Sequence, residues 1–239
     1  MSYDPLNPSA RTGYAGPVID AGLQSYMQGI YRTMCWGLAV TGATAYAVAN
    51  TPGVFNLLFH SIIGSFLMLG AFIFMIFGFR PSSFANAPVA SLHTKFVIYS
   101  ALMGLMLSIL FQLYTGASIA RVFFITSATF AGTSLYGYTT RRDLTGVGSF
   151  MFMGLWGIVI AGFVNVFLHS AMVQFVTSFA GVIIFTGMTA WQTQYFKDAY
   201  RAGDADGNAR LIIQGALDLY LSFVNLFIYI LQLTGDQRR

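Results

Sequence analysis

Hydrophobic residues in this chain fall into seven long runs separated by short polar breaks: roughly residues 29–49, 54–79, 94–113, 119–138, 146–168, 172–196 and 211–233. A helix rises ~1.5 Å per residue, so each run is long enough to cross the ~30 Å hydrocarbon core of a bilayer. The breaks at Asn50-Thr51-Pro52-Gly53 and at His169-Ser170 are short enough to make antiparallel helical hairpins. Residues 1–27 contain three prolines, several glycines and no apolar run, and read as a flexible tail closing in a short interfacial helix from Asp20. The expected organisation is a tail (1–27), a transmembrane domain (28–235) and a short end (236–239). The tail lacks the basic start and compact apolar core of a cleavable signal, so the first run serves as the insertion signal.

The last run is apolar except for one stripe. Asp218, Ser222, Asn225, Tyr229 and Gln232 are spaced 4, 3, 4 and 3 residues apart, which places them on one helix face. A carboxylate in mid-span costs ~2.5–3.5 kcal/mol on insertion scales, so the stripe faces other helices or a water-filled path. Asp218 is thereby a candidate for proton or ion handling. A structural aspartate held by hydrogen bonds and a wet carboxylate at a pore mouth are the competing readings.

Composition supports the membrane reading. Charged residues make up 8% of the chain, 12 basic and 8 acidic, against roughly 25% in soluble domains. There is no glutamate, and seven of the eight aspartates fall in tails or loops, leaving Asp218 as the carboxylate committed to the membrane. The basic excess is a topology signal: a cytoplasmic amino terminus puts Arg11, Arg32, Arg80, Lys95, Arg141, Arg142, Lys197, Arg201 and Arg210 inside. Arg121, Arg238 and Arg239 are left outside, and an odd number of spans puts the carboxyl terminus there too. No basic run with interleaved aromatics suggests a nucleic-acid partner. A lone Cys35 excludes an intrachain disulfide and reads as a small buried hydrophobe. Glycines 37, 42, 64, 70, 154, 157, 181 and 187 are candidates for close helix approach.

Three motifs carry a family resemblance. The stretch GASIARVFFITSATFAGTSLYGYTTRRDLTGVGSFMFMG at residues 116–154, GMTAWQTQYFK at 187–197 and ALDLYLSFVNLF at 216–227 together resemble the Bax inhibitor-1 (transmembrane Bax-inhibitor-motif) family, in its bacterial branch. The second is similar to a family pattern GLTAYDTQxIK and the third to ALxLYLDFINLF. The resemblance runs from about Tyr26 to Thr234 and implies an all-α, seven-helix bundle with the last helix central. It also implies a pH-sensitive calcium leak in a bacterial cytoplasmic (inner) membrane, or the restraint of a membrane protease. In the family the leak is attributed to two aspartates that share a proton and hold the pore closed.

This chain departs from that pattern at both positions, where it carries Gln192 and Ser222. Such a pair can hydrogen-bond between helices but cannot titrate, and Asp218 lies one turn before Ser222. The expected ion pathway or latch is therefore Asp218, Ser222, Asn225 and Gln192, with calcium or protons as its cargo.

Other candidates are weaker. His60, inside an apolar run, reads as a hydrogen-bonded core residue or a proton partner for the interior. His60, His93 and His169 belong to different levels of the membrane, so no metal site is expected. Arg141 and Arg142 read as an interfacial anchor, with a lipid headgroup or cytoplasmic partner as the alternative. GDADGN at residues 203–208 resembles a calcium loop but lacks its downstream glutamate, and reads as a solvated turn. No second buried aspartate, G-x-S-x-G nucleophile or phosphate loop is present, so no enzyme activity is expected. The two function classes are a cation leak, which works in pure lipid, and a regulator of a membrane protease, which acts only with its partner.

Overall fold

A computed structural model describes residues 21–77 and 88–238. The first twenty residues, Arg80 and Arg239, and the expectations placed on them, lie outside that range. The described residues form helices α1 (Ala21–Ala49), α2 (Pro52–Phe59), α3 (Ile62–Phe77), α4 (Val89–Leu107), α5 (Leu110–Leu113), α6 (Gly116–Thr139), α7 (Thr145–Leu168), α8 (Ala171–Ala199) and α9 (Ala205–Thr234). Val89–Leu113, α7, α8 and α9 are each long and apolar enough to cross a membrane, and the bent α2–α3 pair brings the number to five. By length and composition alone the seven-span expectation is therefore not reached, because α1 and α6 spend positions on glycine and hydroxyl residues that pack inside.

The packing is inside-out relative to a water-soluble protein. Phe150, Met153, Trp156, Phe163 and Phe167 on α7 are exposed, and only 6% of its apolar window is buried. The corresponding figure for α9 is 56%, which makes it the central helix, packed against α1, α4, α6 and α8. Lipid tails are as apolar as leucine, so burial selects small and hydroxyl-bearing residues that close-pack and bond across helices. Thr41, Ser100, Thr126, Ser134, Thr189, Thr193 and Ser222 are accordingly buried. Thr41 shows the principle: its hydroxyl lies 2.9 Å from the Gly37 and Ser100 carbonyls and 2.7 Å from the Tyr220 hydroxyl. With one proton to donate to a carbonyl, it accepts from Tyr220 and joins α1, α4 and α9 at one point.

Several boundaries differ from the sequence reading. Helix α1 begins at Ala21, inside the segment expected as tail, and buries Tyr26 and Met27. The expected second span is broken between Phe59 and Ile62, with the two halves bent by 77°. Pro52 sits in the first turn of α2, and the Ser61 hydroxyl accepts from Gly64 N–H to start α3. The expected third span starts earlier, at Val89 after Pro88, and breaks at Ser108, whose hydroxyl donates to the Leu105 carbonyl. The turn at His169 forms as expected: His169 takes φ 51°, and Asn165 Oδ1 accepts from Ser170 N–H.

Two burial expectations are corrected. Cys35 is exposed, because its face of α1 opens on a cleft rather than on a neighbouring helix. His60 is also exposed: it is the residue at which α2 ends, so the bend carries its ring out of any helix interface. Among the glycines, a Cβ at Gly37, Gly64, Gly154, Gly181 or Gly187 would collide with a neighbour, whereas Gly42, Gly70 and Gly157 face open space.

Candidate functional site: the polar seam of the last helix

Helices α8 and α9 run together through the molecule, and the seam residues divide by what each finds there. Ser222, fully buried, donates from Oγ to Gln192 Oε1 at 2.7 Å. Gln232 Oε1 accepts from Ser178 Oγ at 2.8 Å. Tyr229 lies over Gly181, where no Cβ fits, and its ring stacks on Phe185 with centroids 5.8 Å apart. Asn225 turns back to its own helix and donates to the Leu221 carbonyl at 2.8 Å. Asp218 is half-buried, and no donor among the described residues bonds to it. The sequence-predicted contact between Gln192 and Ser222 is thus formed, while Asp218 and Asn225 are not hydrogen-bonded to that pair.

The other side of α8 holds groups that the motif reading passed over. Thr193 donates to the Thr189 carbonyl at 2.8 Å and lies 3.0 Å from Ser134 Oγ, which is 2.6 Å from the Tyr31 hydroxyl. Because Thr193 spends its proton on the carbonyl, the donors run in one direction, from Tyr31 to Ser134 to Thr193. This row starts at a cleft of about 700 Å³ between α1 and α6, lined mainly by apolar groups such as Met34, Phe123, Phe130 and Phe223. Thr193 follows Gln192 directly, so α8 presents one polar residue to α9 and the next to α6. The only sequence signal for this was the run of uncharged polar residues Gln192-Thr193-Gln194 inside a span.

Gln194 closes the end of the bundle at which α1 starts. Its Oε1 accepts from Leu144 N–H and its Nε2 donates to the Arg142 carbonyl, both at 2.8 Å, so one amide staples the loop between α6 and α7. Arg141 and Arg142, read as an interfacial anchor, project exposed from this stapled loop. Lys197 Nζ donates to the Tyr138 carbonyl at 3.0 Å beside them. Asp143 in the same loop is held below the usual carboxylate range by the side-chain and backbone hydrogen bonds of Thr145, whose N–H donates at 2.8 Å. In GDADGN, Asp204 caps α9 by accepting from Gly207 N–H. Among the described residues, no three His, Cys, Asp or Glu side chains converge in a way that could hold a metal ion.

Comparison with known proteins fits this arrangement. Residues 23–239 match the family model described as inhibitor of apoptosis-promoting Bax1. The chain is 41% identical over 225 residues to the inner membrane protein YbhL of Escherichia coli strain K12, covering 91% of this chain and 94% of that one. It is 40% identical over 223 residues to the uncharacterized protein RP147 of Rickettsia prowazekii, covering 92% of each. A third relative, from Caulobacter vibrioides, is 38% identical over 230 residues and likewise covers 92% of each chain. With the family model spanning residues 23–239 and bacterial relatives matching over more than nine-tenths of each chain, this chain belongs to the Bax inhibitor-1 family.

Proposed function

We propose that the protein is a seven-span cation leak of the bacterial inner membrane, with calcium as the cation and Gln192–Ser222 as a latch that does not titrate. The observation that carries this reading is the 2.7 Å bond from Ser222 to Gln192. It joins α8 and α9 at the two motif positions where the family resemblance implies a proton-sharing pair of aspartates. A hydroxyl donating to an amide oxygen is worth ~0.6–2 kcal/mol between membrane helices and is indifferent to pH. Response to protons then rests on Asp218, one turn away and without a hydrogen-bonding partner among the described residues. The amino terminus is cytoplasmic in this reading. Arg32, Lys95, Arg141, Arg142, Lys197, Arg201 and Arg210 belong to the end of the bundle at which α1 and α9 start, and Arg121 and Arg238 to the other. No catalysis is assigned.

The replacement of both ionisable latch residues favours a second reading, a non-transporting regulator that binds and restrains a membrane protease. Calcium flux into proteoliposomes between about pH 6 and 8 separates the two, because a leak survives in pure lipid. Flux that depends on pH in the wild type and loses that dependence in Asp218→Asn is the expected result. Flux that ignores both pH and the substitution removes Asp218 from the mechanism. Absence of flux overturns the leak and leaves the regulator.

A further inference from the structure

Arg32 lies on α1 about three turns from the helix start, next to Tyr31, whose hydroxyl row reaches Thr193 about two turns before α8 ends. Two other membrane-level cations are matched: Arg121 Nη2 pairs with Asp236 at 3.0 Å, and Lys197 donates to the Tyr138 carbonyl. Arg32 is exposed, and no hydrogen bond or ion pair to it is formed by the described residues. Neither α1 nor α4, the two helices that flank it, contains an acidic residue. A guanidinium at the membrane surface with no protein carboxylate to meet selects an anion from its surroundings.

The surroundings are shaped for one. Arg32, Thr33, Trp36 and His93 border a cleft of about 300 Å³ between α1 and α4, whose remaining walls include Phe96 and Val97. The two helices approach closely beneath it, since a Cβ on Gly37 would meet the Phe96 ring at 2.6 Å. Phe96 is buried and forms the floor. Trp36, one turn farther from the start of α1 than Arg32 and on the same face, is 70% exposed, so its ring is turned to lipid along the deeper side of the cleft. The cleft therefore has cationic and hydrogen-bonding groups at one end and apolar walls beyond them.

We propose that this cleft binds an anionic phospholipid, with Arg32 forking onto the phosphate, His93 and Thr33 supplying further hydrogen bonds, and an acyl chain lying along Trp36 and Val97. The planar guanidinium suits a phosphate oxygen pair better than an ammonium would. The apolar walls commit the site to lipid rather than to free phosphate.

The test uses the full chain with Trp156→Phe and Trp191→Phe, which leaves Trp36 as the sole tryptophan, in phosphatidylcholine bilayers. Brominated phosphatidylglycerol should quench Trp36 at about a fivefold lower mole fraction than brominated phosphatidylcholine, the preference expected of one basic residue. Arg32→Gln should abolish that preference, and Arg32→Lys should retain part of it. Native mass spectrometry of the chain with its natural tryptophans should show retained phosphatidylglycerol that Arg32→Gln loses, which guards against misfolding of the double variant. Equal quenching by the two lipids, or an unchanged preference in Arg32→Gln, overturns the proposal. Displacement of the lipid by millimolar inorganic phosphate also overturns it and assigns the site to the free anion.

Discussion

Gln192 accepts a hydrogen bond from Ser222 across 2.7 Å, and both side chains are buried in the α8–α9 interface. Loss of Gln192 does not orphan its partner, because a serine in a helix can turn its hydroxyl to the carbonyl four residues back. Gln192→Ala should therefore lower stability by only ~0.6–2 kcal/mol. Ser222→Ala should cost a similar amount, and the double variant little more than either. A double-mutant cycle from unfolding in mixed micelles measures the coupling. Additive losses would mean that the two side chains do not act on each other.

Helix approach yields a sharper contrast on α6. At Gly137 an added Cβ would run into the backbone carbonyl of Ala190 on α8, which cannot step aside as a side chain can, whereas at Gly132 it meets nothing within 4 Å. Gly137→Ala should destabilise the fold by ~1–3 kcal/mol through overpacking. Gly132→Ala should be neutral or stabilising by up to ~1 kcal/mol from helix propensity. Thermal unfolding of both variants, read by retention of monodisperse protein, checks the order.

The loop at residues 140–144 should respond to acid. Asp143 is held below the ordinary carboxylate range by Thr145, so its charged form favours the folded loop. That contribution is complete above the unfolded aspartate value and is lost as pH falls through the lowered folded one. Amide exchange across residues 140–145, corrected for intrinsic rates, should rise on acidification. Asp143→Asn should raise exchange already at neutral pH and flatten the acid response. Gln194→Leu strips partners from Leu144 N–H and the Arg142 carbonyl, and should speed exchange at every pH.

The all-helical architecture was legible in the sequence because long apolar runs and short polar breaks are themselves the bilayer constraint. The Gln192–Ser222 contact was legible because two motifs place those residues on facing helices. Breaks inside apolar runs were not: nothing in the hydrophobic pattern distinguishes His60-Ser61 from the residues around it, and the 77° bend follows from local backbone geometry there. For the same reason periodicity could not tell that Cys35 faces a cleft, since in lipid both faces of a helix are apolar. The Tyr31–Ser134–Thr193 row was equally hidden, as hydroxyls on three separated segments align only once the bundle is assembled.

The side of the carboxyl terminus tests which way the bundle sits in the membrane. Arg121, at the start of α6, falls on the outer side, where positive charge is disfavoured, if the amino terminus is cytoplasmic, and Asp236 neutralises it with a 3.0 Å ion pair. The same tail is fastened by Thr115 N–H to the Asp236 carbonyl and by Arg238 N–H to the Leu113 carbonyl. Helix α1 starts at the opposite end of the bundle, beside the end of α8, where Tyr26 and Tyr200 lie 5.3 Å apart. With a cytoplasmic amino terminus, alkaline phosphatase fused after residue 239 should be active and a fluorescent-protein fusion dark. Asp236→Asn should leave that orientation intact and shift stability by no more than ~1 kcal/mol, because the pair is solvent-exposed. An active cytoplasmic reporter instead would mean that the bundle sits inverted, with the amino terminus outside, because α4 runs parallel to α1 and α9 ends opposite the start of α1.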